Sequence, residues 1–340
     1  MNRMPQLPSH FLTQMWSCLR WLALMSLLQW AASPALAAKT YLNNGDGTVT
    51  DSATSLVWMR CSMGQTWNGP ASTCTGAALG YTWEQANALT GTVIFAGQSD
   101  WRMPNIRELQ SIVDRTVSDP SIDTVAFVNT PAAHFWSASA SANESINAWR
   151  VGFFNGGASN GYSRSEAYHV RLVRGGQPLG LLDITRPATD YADQGNGTVL
   201  HTPTQLVWQR CAVGQTWIWT DSSCSGTASI HTWEAAKLLT STLAGHGDWR
   251  LPTQEELLSL VDYKRSLPAI NGPLFPNSPI ATWSSSPNVL YSRYPWYVDF
   301  RAGVDSGYDN AFPLSVRLVR TATAPARSMN LTPILMLLLD

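Results

Sequence analysis

Charge is scarce in this 340-residue chain. Charged side chains make up 13% of it, against about a quarter in ordinary globular domains, and no run of Lys and Arg occurs anywhere. With 22 basic and 23 acidic side chains the formal net charge is −1, which argues against the basic footprint of a nucleic-acid binder. No H-E-x-x-H, P-loop or dinucleotide fingerprint is present, so the common metalloprotease and nucleotide motifs are missing. Cysteine is rare too, at 5 residues, too few for a small disulfide-dense scaffold. No apolar run reaches the length of a membrane-spanning helix: Trp21 to Leu28 is too short, and Leu331 to Leu339 is short and contains Pro333.

The first 38 residues have the shape of a secretory signal: Arg3 and Arg20 before the apolar stretch, and a small-residue cleavage site at Ala35-Leu36-Ala37. A signal-anchor helix is the competing reading, but Gln29, Ser33 and Pro34 interrupt the apolar run. The mature chain is expected to begin near Ala38 in a secreted, periplasmic or cell-surface setting, without a membrane span. Cys18 leaves with the signal, and the four remaining cysteines fall as Cys61-x12-Cys74 and Cys211-x12-Cys224. In an oxidising compartment such repeated pairs are most simply one disulfide each, contributing about 3 kcal/mol in the chain-entropy model. Zinc is disfavoured because neither pair has a second Cys or His set, and His201 and His231 flank only the second pair.

What the chain has in abundance is itself. From Thr40 to Arg320 everything is written twice, about 150 residues apart, the size of a domain rather than of a solenoid repeat. Six tryptophans recur, Trp58/Trp208, Trp67/Trp217, Trp83/Trp233, Trp101/Trp249, Trp136/Trp283 and Trp149/Trp296, leaving Trp219 unmatched. Asp100 to Asp114 returns as Asp248 to Asp262, and Val170-Arg-Leu-Val-Arg as Val316-Arg-Leu-Val-Arg. The expected organisation is a signal at 1–38, a first copy at 39–175, a linker at 176–188, a second copy at 189–322 and a tail at 323–340. Each copy is long enough to bury a core of its own. The linker carries Leu179, Leu181, Leu182 and Ile184, which can pack on a copy and limit hinge freedom.

Within a copy, Tyr41 to Asp51 reads as strand, Gly/Asp turn, strand, followed by a short strand at Leu56-Val-Trp-Met. Thr82 with Gln85, Asn105 with Glu108 and Thr253 with Glu256 have the spacing of capping boxes, and Thr232 caps the helix matching that of Thr82. Alternation at Trp149, Val151, Phe153 and at Trp296, Val298, Phe300 marks strands. Strands, two helices, then strands make an α+β unit with antiparallel hairpins.

The order GDGTVTD, LVWMRC, TWEQA, DWRMPNIRELQSIVD, FWSAS, AWRVGFF and VRLVR resembles the Lcl C-terminal domain family, formerly a domain of unknown function and named for a collagen-like adhesin; the resemblance covers both copies almost end to end. A more distant likeness, carried by Arg-[Leu]-Pro-Thr before a Glu-rich helix, Trp-Ser and the final R-L-V-R, is to the formylglycine-generating enzyme and sulfatase-modifying factor superfamily. That likeness implies two tandem C-type-lectin-like domains. It does not bring the activity, because the cysteine pairs here lie in the N-terminal part of each copy.

The polar cluster Asp100, Arg102, Glu108 and its repeat Asp248, Arg250, Glu256 could in principle hold a general acid and base, but helix capping and ion pairing with Asp100 or Asp248 account for it more simply. The Asn43, Asn44, Asp46, Asp51 cluster lacks EF-hand spacing and reads as a turn rather than a calcium site. Most matched tryptophans read as core. Trp67, Trp217 and Trp219, inside the disulfide loops among polar residues, are candidate ligand-binding aromatics, with Tyr291, Tyr294 and Tyr308 in the second copy and Tyr162 in the first extending the surface. The expectation is a secreted or cell-surface binding and adhesion protein of the bacterial envelope recognising extracellular glycans or matrix surfaces, with no enzyme activity, cofactor, metal or nucleic-acid partner. The alternatives are an envelope assembly module without a small ligand and, further off, an enzyme using the Asp/Arg/Glu clusters.

Overall fold

The computed structural model describes residues 39–176 and 184–322. The secretory signal expected at 1–38, the tail at 323–340, and Leu179, Leu181 and Leu182 of the linker lie outside the described residues.

Short polar turns set the first sheet of each copy. Asn43 and Asp46 accept from the amides of Gly45 and Thr48 at 3.0 Å, closing a turn between strands Tyr41–Asn43 and Thr48–Asp51. Val57–Met59 follows antiparallel, and Val173–Arg174 from the far end of the copy completes the four-stranded order. The second copy repeats this with Tyr191–Asp193, Thr198–His201, Leu206–Gln209 and Val319–Thr321. The closing V-R-L-V-R segment is therefore what staples the end of each copy to its beginning. The other large sheets are His134–Ala140, Asn147–Gly152 and Gly157–Ser163 in copy one, and Ala281–Trp283, Trp296–Asp299 and Val304–Gly307 in copy two. The latter is widened by Leu314–Ser315 and Ile230–His231. Both disulfides form within their copies, Cys61–Cys74 and Cys211–Cys224, each at a Cα separation of 5.5 Å and each closing a two-stranded hairpin.

The expected C-type-lectin-like α+β fold is not what forms. The described residues build mostly small antiparallel sheets, four of them set like blades in a propeller-like ring, and only 10% of them are helical. The capping boxes are present at Thr82/Gln85, Asn105/Glu108 and Thr253/Glu256, and Thr232 caps without a box because Ala235 holds the third position. The helices they start are Trp83–Asn87, Ile106–Ser111, Trp233–Lys237 and Gln254–Leu258. None lasts two full turns, so none presents a long stripe for a sheet to pack on. The lectin likeness rested on local motifs, a capped helix start, Trp-Ser and a final strand. Such motifs fix turns and ends and leave topology open.

The core is partly shared. One cluster belongs to copy one, with Trp101, Met103, Trp136 and Leu172, and one to copy two, with Trp249, Leu251, Trp283 and Leu318. The largest cluster, however, draws Trp58, Phe127, Trp149 and Val151 together with Trp208, Tyr263, Phe275 and Phe300. Tyr263 of copy two meets Trp149 of copy one edge-on at 4.8 Å and donates to Gln110 at 2.8 Å. The matched strands Gly157–Ser163 and Val304–Gly307 contact each other, so matched residues Ala158 and Asp305 meet, the Ala158 amide donating to the carboxylate at 2.9 Å. Ile184, at the end of the linker, packs against this cluster. The described residues, 39–176 and 184–322, accordingly form one compact unit.

Candidate functional site

The motif residues that look chemical are mostly structural. Arg102 grips Glu108 through two nitrogens at 2.7 Å, and Arg250 grips Glu256 at 2.7 and 2.6 Å. Each glutamate also accepts from the backbone amide of its helix N-cap at 2.8 Å. One carboxylate thus closes the capping box and anchors the preceding Arg, a charge-assisted arrangement that leaves no free base. Asp100 pairs with Arg174 at 2.7 Å, not with Arg102, and that hydrogen bond holds its carboxyl below the usual range. Asp248 stands more loosely, 3.9 Å from Arg320 and from His246.

The first arginine of each V-R-L-V-R, Arg171 and Arg317, is buried for a reason the sequence does not display. Arg171 donates to Met59 O at 2.8 Å and to Thr130 at 2.6 Å, while Arg317 donates to Gln209 O at 2.8 Å and to Ser278 at 2.9 Å. Each lies over a phenylalanine, Phe127 or Phe275. Their guanidinium groups satisfy the carbonyls at the end of the third strand, just ahead of each disulfide.

The loop tryptophans separate into two kinds. Trp67 and Trp217 are half-buried, each stacked beneath an arginine, Arg60 at 4.7 Å and Arg210 at 4.0 Å. Each also lies against a left-handed glycine: a Cβ on Gly47 would come within 2.7 Å of Trp67, and one on Gly197 within 3.4 Å of Trp217. Trp219 stands free at 61% exposure, edge-on to Trp217. Tyr291 and Tyr294 are exposed and edge-on to each other at 6.4 Å. Tyr308 continues to Phe312 at 5.6 Å, and Arg293 ties the Tyr291–Tyr294 loop to Asp309 at 2.7 Å. The matched positions in copy one hold Glu144, Asn147 and Glu166 in place of Tyr291, Tyr294 and Phe312. Tyr162, the match of Tyr308, lies over Arg150 at 3.3 Å.

Sequence reasoning missed a groove in copy two of about 480 Å³, walled by Ile230, Pro279, Ala281, Pro313 and Leu314 and bounded by Gln215, Asn277 and Ser315. Its sequence signal is that small or aliphatic residues stand where copy one has rings.

Other titratable groups are shielded. Burial, helped by Arg150, pushes His134 down to about 4, and burial with Arg186 and Arg107 pushes His201 down to about 3. Burial raises Asp305, which holds Gln254, the Ala158 amide and Arg115. The Asn43–Asp51 oxygens serve turns: Asp46 holds Thr48, and Asp51 holds the Ala53 amide and Thr54. Among the described residues no group of three or more His, Cys, Asp or Glu is placed to hold a metal ion. Gly157-Ala-Ser-Asn-Gly161 has nucleophile-elbow spacing, yet it lies along the strand Gly157–Ser163 rather than on a strand-to-helix turn, and Ser159 pairs in register with Arg150. No helix among the described residues is long and apolar enough to cross a membrane.

Residues 47–174 and 197–320 each match the family described as the Lcl C-terminal domain. No curated protein and no solved structure matches the chain.

Proposed function

The chain belongs to the Lcl C-terminal domain family twice over, and from that premise we propose that it is an exported binding protein that attaches to extracellular glycans or matrix surfaces through aromatic side chains of its second copy. The observation that carries this is the one-sided exposure of Trp219, Tyr291, Tyr294 and Phe312, set beside the helix-capping and ion-pair duties of the Asp/Arg/Glu clusters. Exposed rings on loops braced by a disulfide and by Arg293–Asp309 offer flat apolar faces at little ordering cost. The two disulfides favour an oxidising compartment, and the low charge favours contacts that salt does not screen.

Retention on immobilised glycans and matrix proteins tests the reading. Tyr291→Ala with Tyr294→Ala, or Trp219→Ala, is expected to lower retention about tenfold while Tm stays near the parent's, because these rings are outside the core. Raising the salt should cost little. Unchanged retention in these variants, or no retention of the folded parent, supports instead an envelope assembly module.

A further inference from the structure

We propose that the groove of the second copy is a docking pocket for one uncharged ring-bearing side chain presented by an extended segment of a partner protein. Copy one shows what fits there. By strand register His134 faces Gly152 as Ala281 faces Asp299, Tyr168 bridges Tyr81 as Leu314 pairs with His231, and His169 bridges Phe135 as Ser315 pairs with Thr282. In copy one these positions supply their own rings: His134 packs on Phe154 at 5.0 Å and on Tyr168 at 5.2 Å. His169 packs on Phe135 at 5.4 Å and reaches Leu79 O at 3.1 Å. In copy two the matched Ala281, Leu314 and Ser315 all line the groove. Three rings are gone, and open space stands beside the residues that replaced them.

The lining decides the chemistry of the occupant. None of the groove residues is charged, so a charged group would lose its hydration there without a partner. The side-chain amides and the serine hydroxyl at its margin are already engaged. Gln215 accepts from the Ala212 amide at 3.0 Å and donates to Asn277 O at 3.1 Å, Asn277 donates to Cys224 O at 2.6 Å, and Ser315 donates to Ala281 O. A sugar would leave its hydroxyls poorly paired in such a site, whereas a phenyl or similar ring needs no partner. Pro279 and Pro313 stiffen the walls, which keeps the ordering cost low. Exposed Ile280 and Phe312 at the rim give apolar footing to the chain on either side of the inserted ring. The glycan reading is tested at Trp219, Tyr291 and Tyr294, none of which lines the groove, so either can fail alone.

The test titrates N-acetyl-phenylalaninamide into the intact, isotope-labelled chain and follows backbone amide signals by NMR. Saturable shifts are expected at Ile230, Ala281, Leu314 and Ser315, with none from N-acetylglucosamine or N-acetyl-lysinamide. Rebuilding the rings of copy one with Ala281→His, Leu314→Tyr and Ser315→His should weaken the response about tenfold or more at unchanged shifts elsewhere. If the triple variant does not fold, Leu314→Tyr alone carries the same comparison. No saturable shift, shifts confined to Tyr291 and Tyr294, an equal response to the sugar, or full binding by the ring-filled variant overturns the proposal.

Discussion

The two copies keep the same skeleton and differ in what they do with their surfaces. Copy one fills and covers: His134, Tyr168 and His169 close one region, and Tyr162 lies over Arg150. Copy two opens a groove at the matched place and exposes Trp219, Tyr291, Tyr294 and Phe312. The contact between them is unequal as well. Tyr263 enters the core against Trp149, whereas its match Arg115 lies between Glu255 at 3.3 Å and Asp305 at 3.6 Å. On the proposed reading, function concentrates where the two copies differ and stability where they are alike.

The largest expected effect breaks the shared core. Trp149→Ala removes a fully buried ring that touches both copies, and should cost about 3 to 5 kcal/mol. Because the main cluster spans both copies, calorimetry should show one transition moving down as a whole. Two resolved transitions, with copy two unchanged, would mean the copies are energetically separate.

Local chemistry was legible in the sequence and long-range pairing was not. Capping boxes, the Gly/Asp turns and the disulfides depend on residues a few positions apart, and all formed where their spacing put them. The sheet arrangement depends on which distant strands meet, such as Val57–Met59 with Val173–Arg174, and no periodicity encodes that. The same limit hid Arg171 and Arg317, whose backbone carbonyl partners lie more than a hundred residues away. Trp67 and Trp217 looked exposed because their neighbours in sequence are polar, but Arg60, Arg210 and the opposing glycines cover them. The groove is an absence of side chains, visible only once the copies are laid over each other.

A second comparison sets His201 of copy two against Asp51 of copy one. His201 is fully buried, bonded to Thr204 at 2.7 Å and stacked on Tyr191, and burial beside Arg186 and Arg107 lowers its folded value to about 3 from an ordinary 6.5. A depressed folded value means that the unfolded chain takes up the proton first. The neutral imidazole's contribution is therefore complete above pH 6.5 and is lost as the pH falls from there through about 3, by up to about 5 kcal/mol. His201→Asn should flatten the decline of stability across that window in denaturant titrations at successive pH values. An equally steep decline in the variant would place the acid sensitivity elsewhere, with half-buried His134 the next group to replace.

The smallest effect sharpens the comparison at its most conserved-looking point, the arginine over the loop tryptophan. Arg210 spends all three nitrogens, on Leu274 O, Pro273 O and Asp193, the last at 2.9 Å. Arg60 reaches Ala126 O and Val125 O in the same way, but its third nitrogen is buried without a partner. The difference traces to one residue: Asn43 occupies the place of Asp193, and both accept from the glycine two residues on. Asn43→Asp should keep that turn bond and give Arg60 its missing acceptor. Because Asp193 is about half exposed, the gain should be no more than about 1 kcal/mol, or about 1 to 3 °C in Tm for a unit of this size. It should fade in about 1 M salt, where screening is nearly complete. Asp193→Asn should lose a similar amount, and a gain or loss insensitive to salt would show that packing of the tryptophan, rather than the ion pair, separates the two loops.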